Sequence, residues 1–138
     1  MTFQAVRAAI ETKVYAAFQG LQPPVEVLFQ NVDETPPALP YVLCLISYTS
    51  TTEPVLCAEA IENLQGNLQL SIYVPRGRGM KDLELYAAEA MKTINNLYDW
   101  NSSVKVKAGQ ILGPEYLLTG EEPYALATVS CPFTACVD

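Results

Sequence analysis

The sequence predicts one α+β domain: two helices packed on one face of a mainly antiparallel sheet of about six strands. Three observations carry this. Apolar residues recur at three- and four-residue steps over 2–19 and again over 81–98. Between and after these stretches, short segments alternate apolar and polar residues with the period of a strand. The elements come in the order helix, strands, helix, strands within 138 residues, a length that suits a single core and no second domain.

The first helix starts at Thr2, an N-cap residue type, and runs to about Gln19. Phe3, Val6, Ile10, Val14 and Ala17 form its apolar stripe, and Gly20 with Pro23-Pro24 ends it. Val25, Val27 and Phe29 then alternate with Glu26, Leu28 and Gln30, which is a strand pattern. A proline-rich acidic loop, 31–40, leads to 41–46. That segment is apolar on both parities and is expected to be a central strand covered on both faces. Residues 49–65 show no clear period. A structureless loop of this length is unusual in a compact domain, so a long hairpin excursion is expected.

Leu68, Leu70, Ile72 and Val74 alternate with Gln69, Ser71 and Tyr73 in a half-buried strand that stops at Pro75. A tight turn, 75–79, opens the second helix, expected from about Lys81 to Tyr98 with Leu83, Ala87, Ala90, Ile94 and Leu97 on one face. Short strands follow at 104–107, 111–112 and 116–118. The last strand is expected over 124–134, with Ala125, Ala127, Val129, Cys131 and Phe133 sharing a face.

Composition narrows the function. Half of the residues are hydrophobic and 17% are charged, the balance of a folded protein and the opposite of a disordered one. No apolar run reaches the length of a membrane-spanning helix, and Arg7 is the one basic residue ahead of or within the first helical turns, with no signal-type apolar block. A soluble chain made in a cytosol is expected. The net charge is −7. Such a chain does not gain affinity for nucleic acid by releasing phosphate counterions. It also has no histidine, the commonest general base and metal ligand. Cys44, Cys57, Cys131 and Cys136 form no CxxC pair and are expected as free thiols, Cys44 and Cys131 inside apolar strands. No cofactor, metal or catalytic centre is expected.

The remaining motifs favour interfaces over catalysis. Strand, Gly77-Arg78-Gly79 and helix together have the outline of a phosphate-binding turn. The position of a dinucleotide fingerprint's third glycine is, however, Asp82, and no P-loop triplet is present. Arg76 and Arg78 are instead candidates for docking onto an acidic partner surface. Asp33 and Glu34, like Glu121 and Glu122, are neighbours in a loop and so lack the face-to-face geometry of an acid/base pair. Asp33 and Glu34 stand as candidate interface residues. Trp100, in a polar segment after the second helix, either folds back onto the sheet or anchors a partner. Tyr73, Tyr116 and Tyr124 are open in the same way.

In order along the chain come an amphipathic helix over 3–18, a strand ending in Phe29-Gln30-Asn31, and a loop with Pro36-Pro37. Pro40-Tyr41-Val42-Leu43 then opens a hydrophobic strand, and Gly66-Asn67-Leu68 begins a strand that ends in Val74-Pro75-Arg76-Gly77. An alanine-rich helix with Ala87-Ala88-Glu89-Ala90 and a strand over 124–133 complete the series. This succession resembles the tail terminator, or tail-completion, family of long-tailed, lambda-like bacteriophages over nearly the whole chain. One departure is the end of the second helix, Asn95-Asn96-Leu97-Tyr98, where a phenylalanine is expected.

The resemblance implies a non-enzymatic structural protein of the virion, placed at the head-proximal end of the tail and assembled in the host cytoplasm. It implies a homo-oligomer, a hexameric ring, that caps the tail tube protein, ends its polymerisation and offers a surface to the head–tail connector protein. Phage DNA would pass through the ring without specific binding, its carboxylate-rich bore repelling phosphate. Arg76 and Arg78, or the arm 53–65, would contact a neighbouring subunit or the tube. Two other readings compete: a head–tail joining or neck subunit, and a small ligand-binding regulatory α+β domain with its site at 75–79.

Overall fold

The computed structural model describes residues 2–21, 24–30, 40–52, 62–75, 80–98, 104–117 and 124–137. Helix α1 spans Thr2–Gln19 and is followed by strands β1 (Glu26–Phe29), β2 (Tyr41–Thr52) and β3 (Glu62–Pro75). Helix α2 spans Lys81–Asn95, and β4 (Val104–Ala108), β5 (Leu112–Leu117) and β6 (Tyr124–Val137) complete the chain. The strands form one sheet in the order β1-β2-β3-β6-β4, with β5 also paired to β6. The sheet is mixed and curled. β1 pairs parallel to β2, whereas every other pairing is antiparallel. The expectation of a mainly antiparallel sheet is refined at this edge, because alternation of apolar residues reports a strand's faces and not its direction.

β3 and β6 are the axis of the domain. Each has fourteen residues, and they pair from Glu62↔Val137 to Pro75↔Tyr124. On one face lie Leu64, Leu68, Leu70, Ile72 and Val74 with Ala125, Ala127, Val129, Cys131, Phe133 and Ala135, all buried. Both helices pack there. α1 contributes Val6, Ile10, Val14 and Phe18, and α2 contributes Leu83, Tyr86, Ala87, Ala90 and Ile94. The last stripe position of α1 is therefore Phe18 and not Ala17, since the larger residue one step on lies four from Val14. Carbonyl contacts turn the chain out of α1: Gly20 N–H donates to Ala16 O (3.0 Å) and Val25 N–H to Phe18 O (3.0 Å), which launches β1 along the helix.

α1 touches β1 on one flank and β4 on the other, filling the mouth of the curled sheet. Lys13 Nζ ties the two helices by donating to the carbonyls of Leu97 (2.9 Å) and Asn96 (3.3 Å), where α2 ends. A cation there complements the negative end of the helix dipole. The end itself, at Asn95 with Asn96 as cap, comes three residues before the expected Tyr98, although Leu97 stays buried.

Three further expectations need correction. β2 lies between β1 and β3 but is not covered on both faces: Val42, Cys44 and Ile46 are buried, while Tyr41, Leu43 and Leu45 on the other face are half-buried. The two short strands foreseen at 111–112 and 116–118 are one strand, β5, kinked by a register shift between Leu112 and Glu115. β6 runs on to Val137 because β4 continues the same edge beyond β5. The hairpin expected across 49–65 is present as far as it is described. β2 and β3 pair out to Thr52↔Asn63, with a bulge between Tyr48 and Ser50, and its tip lies outside the described residues.

Gly66 makes the long hairpin possible. It sits opposite Tyr48 and Phe133, whose rings meet edge to face at 6.4 Å across it. A Cβ on Gly66 would strike the Ser47 carbonyl oxygen and come within 2.9 Å of the Phe133 ring. Gly113 has φ +100°, a conformation L side chains rarely adopt, and so suits the kink in β5.

Candidate functional site

Packing both helices on one face leaves the other face of the sheet without helical cover among the described residues. Register places Tyr41 directly opposite Tyr73, and Tyr124 opposite Pro75, so three tyrosines gather at one end of this outer face. Tyr41 and Tyr73 stack with ring centroids 4.7 Å apart, and Tyr124 meets Tyr73 edge-on at 5.0 Å. Leu126 pairs with Tyr73, and Leu43 with Ser71, extending the apolar end. Further along, the face turns polar through Gln69, Asn67, Ser130 and Thr134. Burial raises the pKa of Tyr73 above the ordinary phenol value, helped by Tyr41 and Tyr124; burial and Tyr124 do the same for Tyr41. Tyr41 and Tyr73 stay neutral at physiological pH, so the cluster works as a contact surface with hydrogen-bonding tips.

The edges of the sheet are blunted. β1 is four residues long. Just beyond it, Ile46 on β2 has its N–H taken up by Gln30 Oε1 (2.8 Å) and its carbonyl approached by Arg7 Nη2 (3.4 Å). Arg7 Nη1 holds Gln30 Oε1 in place at 2.8 Å. At the opposite edge, β4 presents Lys105 and Lys107, and β5 carries Pro114 inside its register shift. Short strands, lysines, proline and bulges all discourage open-ended strand addition.

Among the described residues, one cleft lies between the end of α2 and β4 and another between α1 and β1. The larger, of about 380 Å³, is lined by Ile94, Asn95, Tyr98, Lys107 and Ala108. It adjoins a second hollow of about 270 Å³ that shares Lys107 and Ala108 and runs over Gly109 and Pro132. Between α1 and β1, the shallower cleft of about 240 Å³ is lined by Glu11, Thr12, Tyr15 and Phe29.

No catalytic constellation forms among the described side chains. No group of three metal-ligating His, Cys, Asp or Glu residues converges among them. Burial pushes the Cys44 thiol up to about 12 and the Cys131 thiol up to about 11, so neither is a ready nucleophile. No described helix is long and apolar enough to cross a membrane.

The residues singled out from sequence, Asp33, Glu34, Arg76, Arg78 and Trp100, all lie outside the described residues, as do Glu121 and Glu122. The tyrosine cluster and the Lys107 cleft went unrecognised. Tyr73 on the polar parity of an alternating strand was the available signal. Its meeting with Tyr41 and Tyr124 depends on register, which a sequence pattern does not report.

No family model and no curated protein matches this sequence. A solved structure described only by a sequence identifier is similar to it, with a TM-score of 0.71 at 24% identity, covering 100% of this chain and 96% of the other. At that identity the likeness establishes the fold alone: an α+β domain of two helices and a curled, mixed sheet of about six strands, shared over the whole length.

Proposed function

We propose that this chain is a structural subunit of a phage tail, a tail terminator that closes into a ring, caps the tail tube and ends its polymerisation. The ordered resemblance across nearly the whole chain carries this reading: helix, strand to Asn31, proline-rich loop, Pro40-Tyr41 strand, Gly66 strand and alanine-rich helix. The arrangement of surfaces supports it. A subunit that caps a polymer needs a broad face for the polymer and edges that do not propagate a sheet. Here the outer sheet face is half apolar and half polar, the usual mixture of a protein–protein interface. The blunted edges at β1, β4 and β5 suit closed association through side chains better than growth by strand pairing.

In this role the ring contributes no chemistry. Subunits and tube are held by buried surface, with specificity from charge matching. The net charge of −7 favours passage of DNA through the ring without sticking. The outer face around Tyr41, Tyr73 and Tyr124 is the surface offered to the tube, and the head connector uses the opposite side of the ring. The direct test is electron microscopy of tails assembled without this protein: overlong, headless tubes are expected. Tubes of normal length would overturn the reading, and normal-length tubes that fail to join heads would favour a neck subunit instead.

A further inference from the structure

β2 outlasts its partner at one edge of the sheet. β1 ends at Phe29, which pairs with Cys44, while β2 runs on to Thr52. Among the described residues no strand pairs with β2 on that side beyond Cys44. A strand that continues past its neighbour is a template for a further strand.

The first backbone group past the pairing is already taken. In a continued parallel ladder, the Ile46 N–H would bond to the backbone carbonyl of Gln30. It donates instead to the side-chain oxygen of Gln30, Oε1, at 2.8 Å. Arg7 Nη1 donates to the same oxygen at 2.8 Å, and Arg7 Nη2 reaches the Ile46 carbonyl at 3.4 Å. Two donors converging on one atom require an acceptor there, and they engage both lone pairs of the amide oxygen. Arg7 is itself held from two more directions. Glu11, one helical turn on, lies 3.4 Å away, and the Tyr48 ring centroid lies 5.9 Å from the guanidinium carbon. Helix α1, the end of β1 and β2 thus each contribute one group to a junction across the edge of β2. The shortness of β1 does not do this work, since a shorter partner leaves more of β2 open.

We propose that Gln30, clamped by Arg7, is a side-chain plug that ends strand pairing at β2 and keeps a second copy from adding its own β2 along this edge. The excluded strand is that of a second copy because two identical edges pair antiparallel about a two-fold axis, so every molecule carries its own partner. The plug is independent of the ring reading: it governs which edge stays unpaired, whichever other surfaces close a ring.

Gln30 is exposed, so replacing it leaves the core untouched. Gln30→Ala removes the acceptor without adding apolar bulk. In dilute solution the Ile46 amide should then exchange roughly fivefold faster than in wild type, measured by hydrogen exchange resolved to single amides. In concentrated solution the variant should associate at least roughly tenfold more strongly than wild type by light scattering, and the Ile46 amide should become protected again. Gln30→Glu keeps an acceptor oxygen at the same reach, strengthened toward Arg7 by its charge, and should match wild type in both measurements. Circular dichroism checks that each variant is folded.

Unchanged exchange at Ile46 in Gln30→Ala would show that the side chain does not hold that amide, and the plug is disproved. Faster exchange without added association would show that this edge needs no guard, which disproves it equally. Association raised as much by Gln30→Glu as by Gln30→Ala would do the same, because the acceptor would then be irrelevant. A wild type that forms no ring overturns the tail reading and leaves each of these comparisons as it stands.

Discussion

The two faces of β3 share one backbone and have opposite fates. On the inner face, Leu64, Leu68, Leu70 and Ile72 are wholly buried beneath the helices and beside the alanines and valine of β6. On the outer face, Tyr73 is half-buried, Gln69 donates to the Ser71 hydroxyl at 3.2 Å, and Asn67 and Gln65 are exposed. The inner face is made for packing and tolerates little change in volume. The outer face carries aromatic and amide groups that pack with one another yet keep polar tips available. A face that has to fold and a face that has to bind are thus separated by the period of the strand alone.

Mutations graded by face sharpen this contrast. Leu70→Ala empties a fully buried site between β2 and β6, and a loss of about 2–5 kcal/mol in urea unfolding is expected. Gly66→Ala forces a methyl group against the Ser47 carbonyl and the Phe133 ring, and should cost about 1–3 kcal/mol in the same measurement. On the outer face, Tyr124→Ala removes one edge-on aromatic contact and is expected to cost about 0.5–1.5 kcal/mol. If Tyr124→Ala destabilised the chain as much as Leu70→Ala, the outer face would belong to the core and the division would be broken. Lys13→Met keeps the apolar stem but loses the bonds to the end of α2, with a loss of about 0.3–1 kcal/mol that shrinks in high salt.

Alkaline pH separates the faces differently. The folded-state pKa of Cys44 is raised from 9.0 to about 12 by burial first, then by Glu11, with Arg7 opposing. A group raised in the folded state stays protonated there while the unfolded chain ionises, so its contribution is intact below pH 9 and is lost as pH rises toward 12. Cys131 acts in the same sense up to about 11. Stability should therefore fall from about pH 9 upward. Cys44→Ala should flatten part of that fall in pH-dependent thermal melts, and an unchanged slope would show that the buried thiol is not responsible.

Much of the architecture was legible because it follows from short-range periodicity. The stripe Val6-Ile10-Val14, the stripe Leu83-Ala87-Ala90-Ile94 and the alternations of β3 and β6 each report a buried face directly. What escaped involves relations between elements. The parallel sense of β1 against β2, the merging of two short segments into kinked β5 and the half-exposed outer side of β2 depend on how strands are arranged in space. The run 41–46 misled for a specific reason: an apolar residue on the outer face reads like a core residue until its neighbours are known, and here they include Tyr73 and Leu126.

By itself, then, the sequence determined the fold class, the two buried helix stripes and the lack of a histidine-based or CxxC site, since each is a matter of residue type and spacing. Tertiary structure alone decided that Tyr41, Tyr73 and Tyr124 form one cluster, and that one cleft opens between the end of α2 and β4 while another, bearing Tyr15, opens beside α1 and β1. The reason is register and curl. Residues more than thirty positions apart meet only when strand pairing and the helix in the mouth of the sheet bring them together, and no local period encodes that meeting.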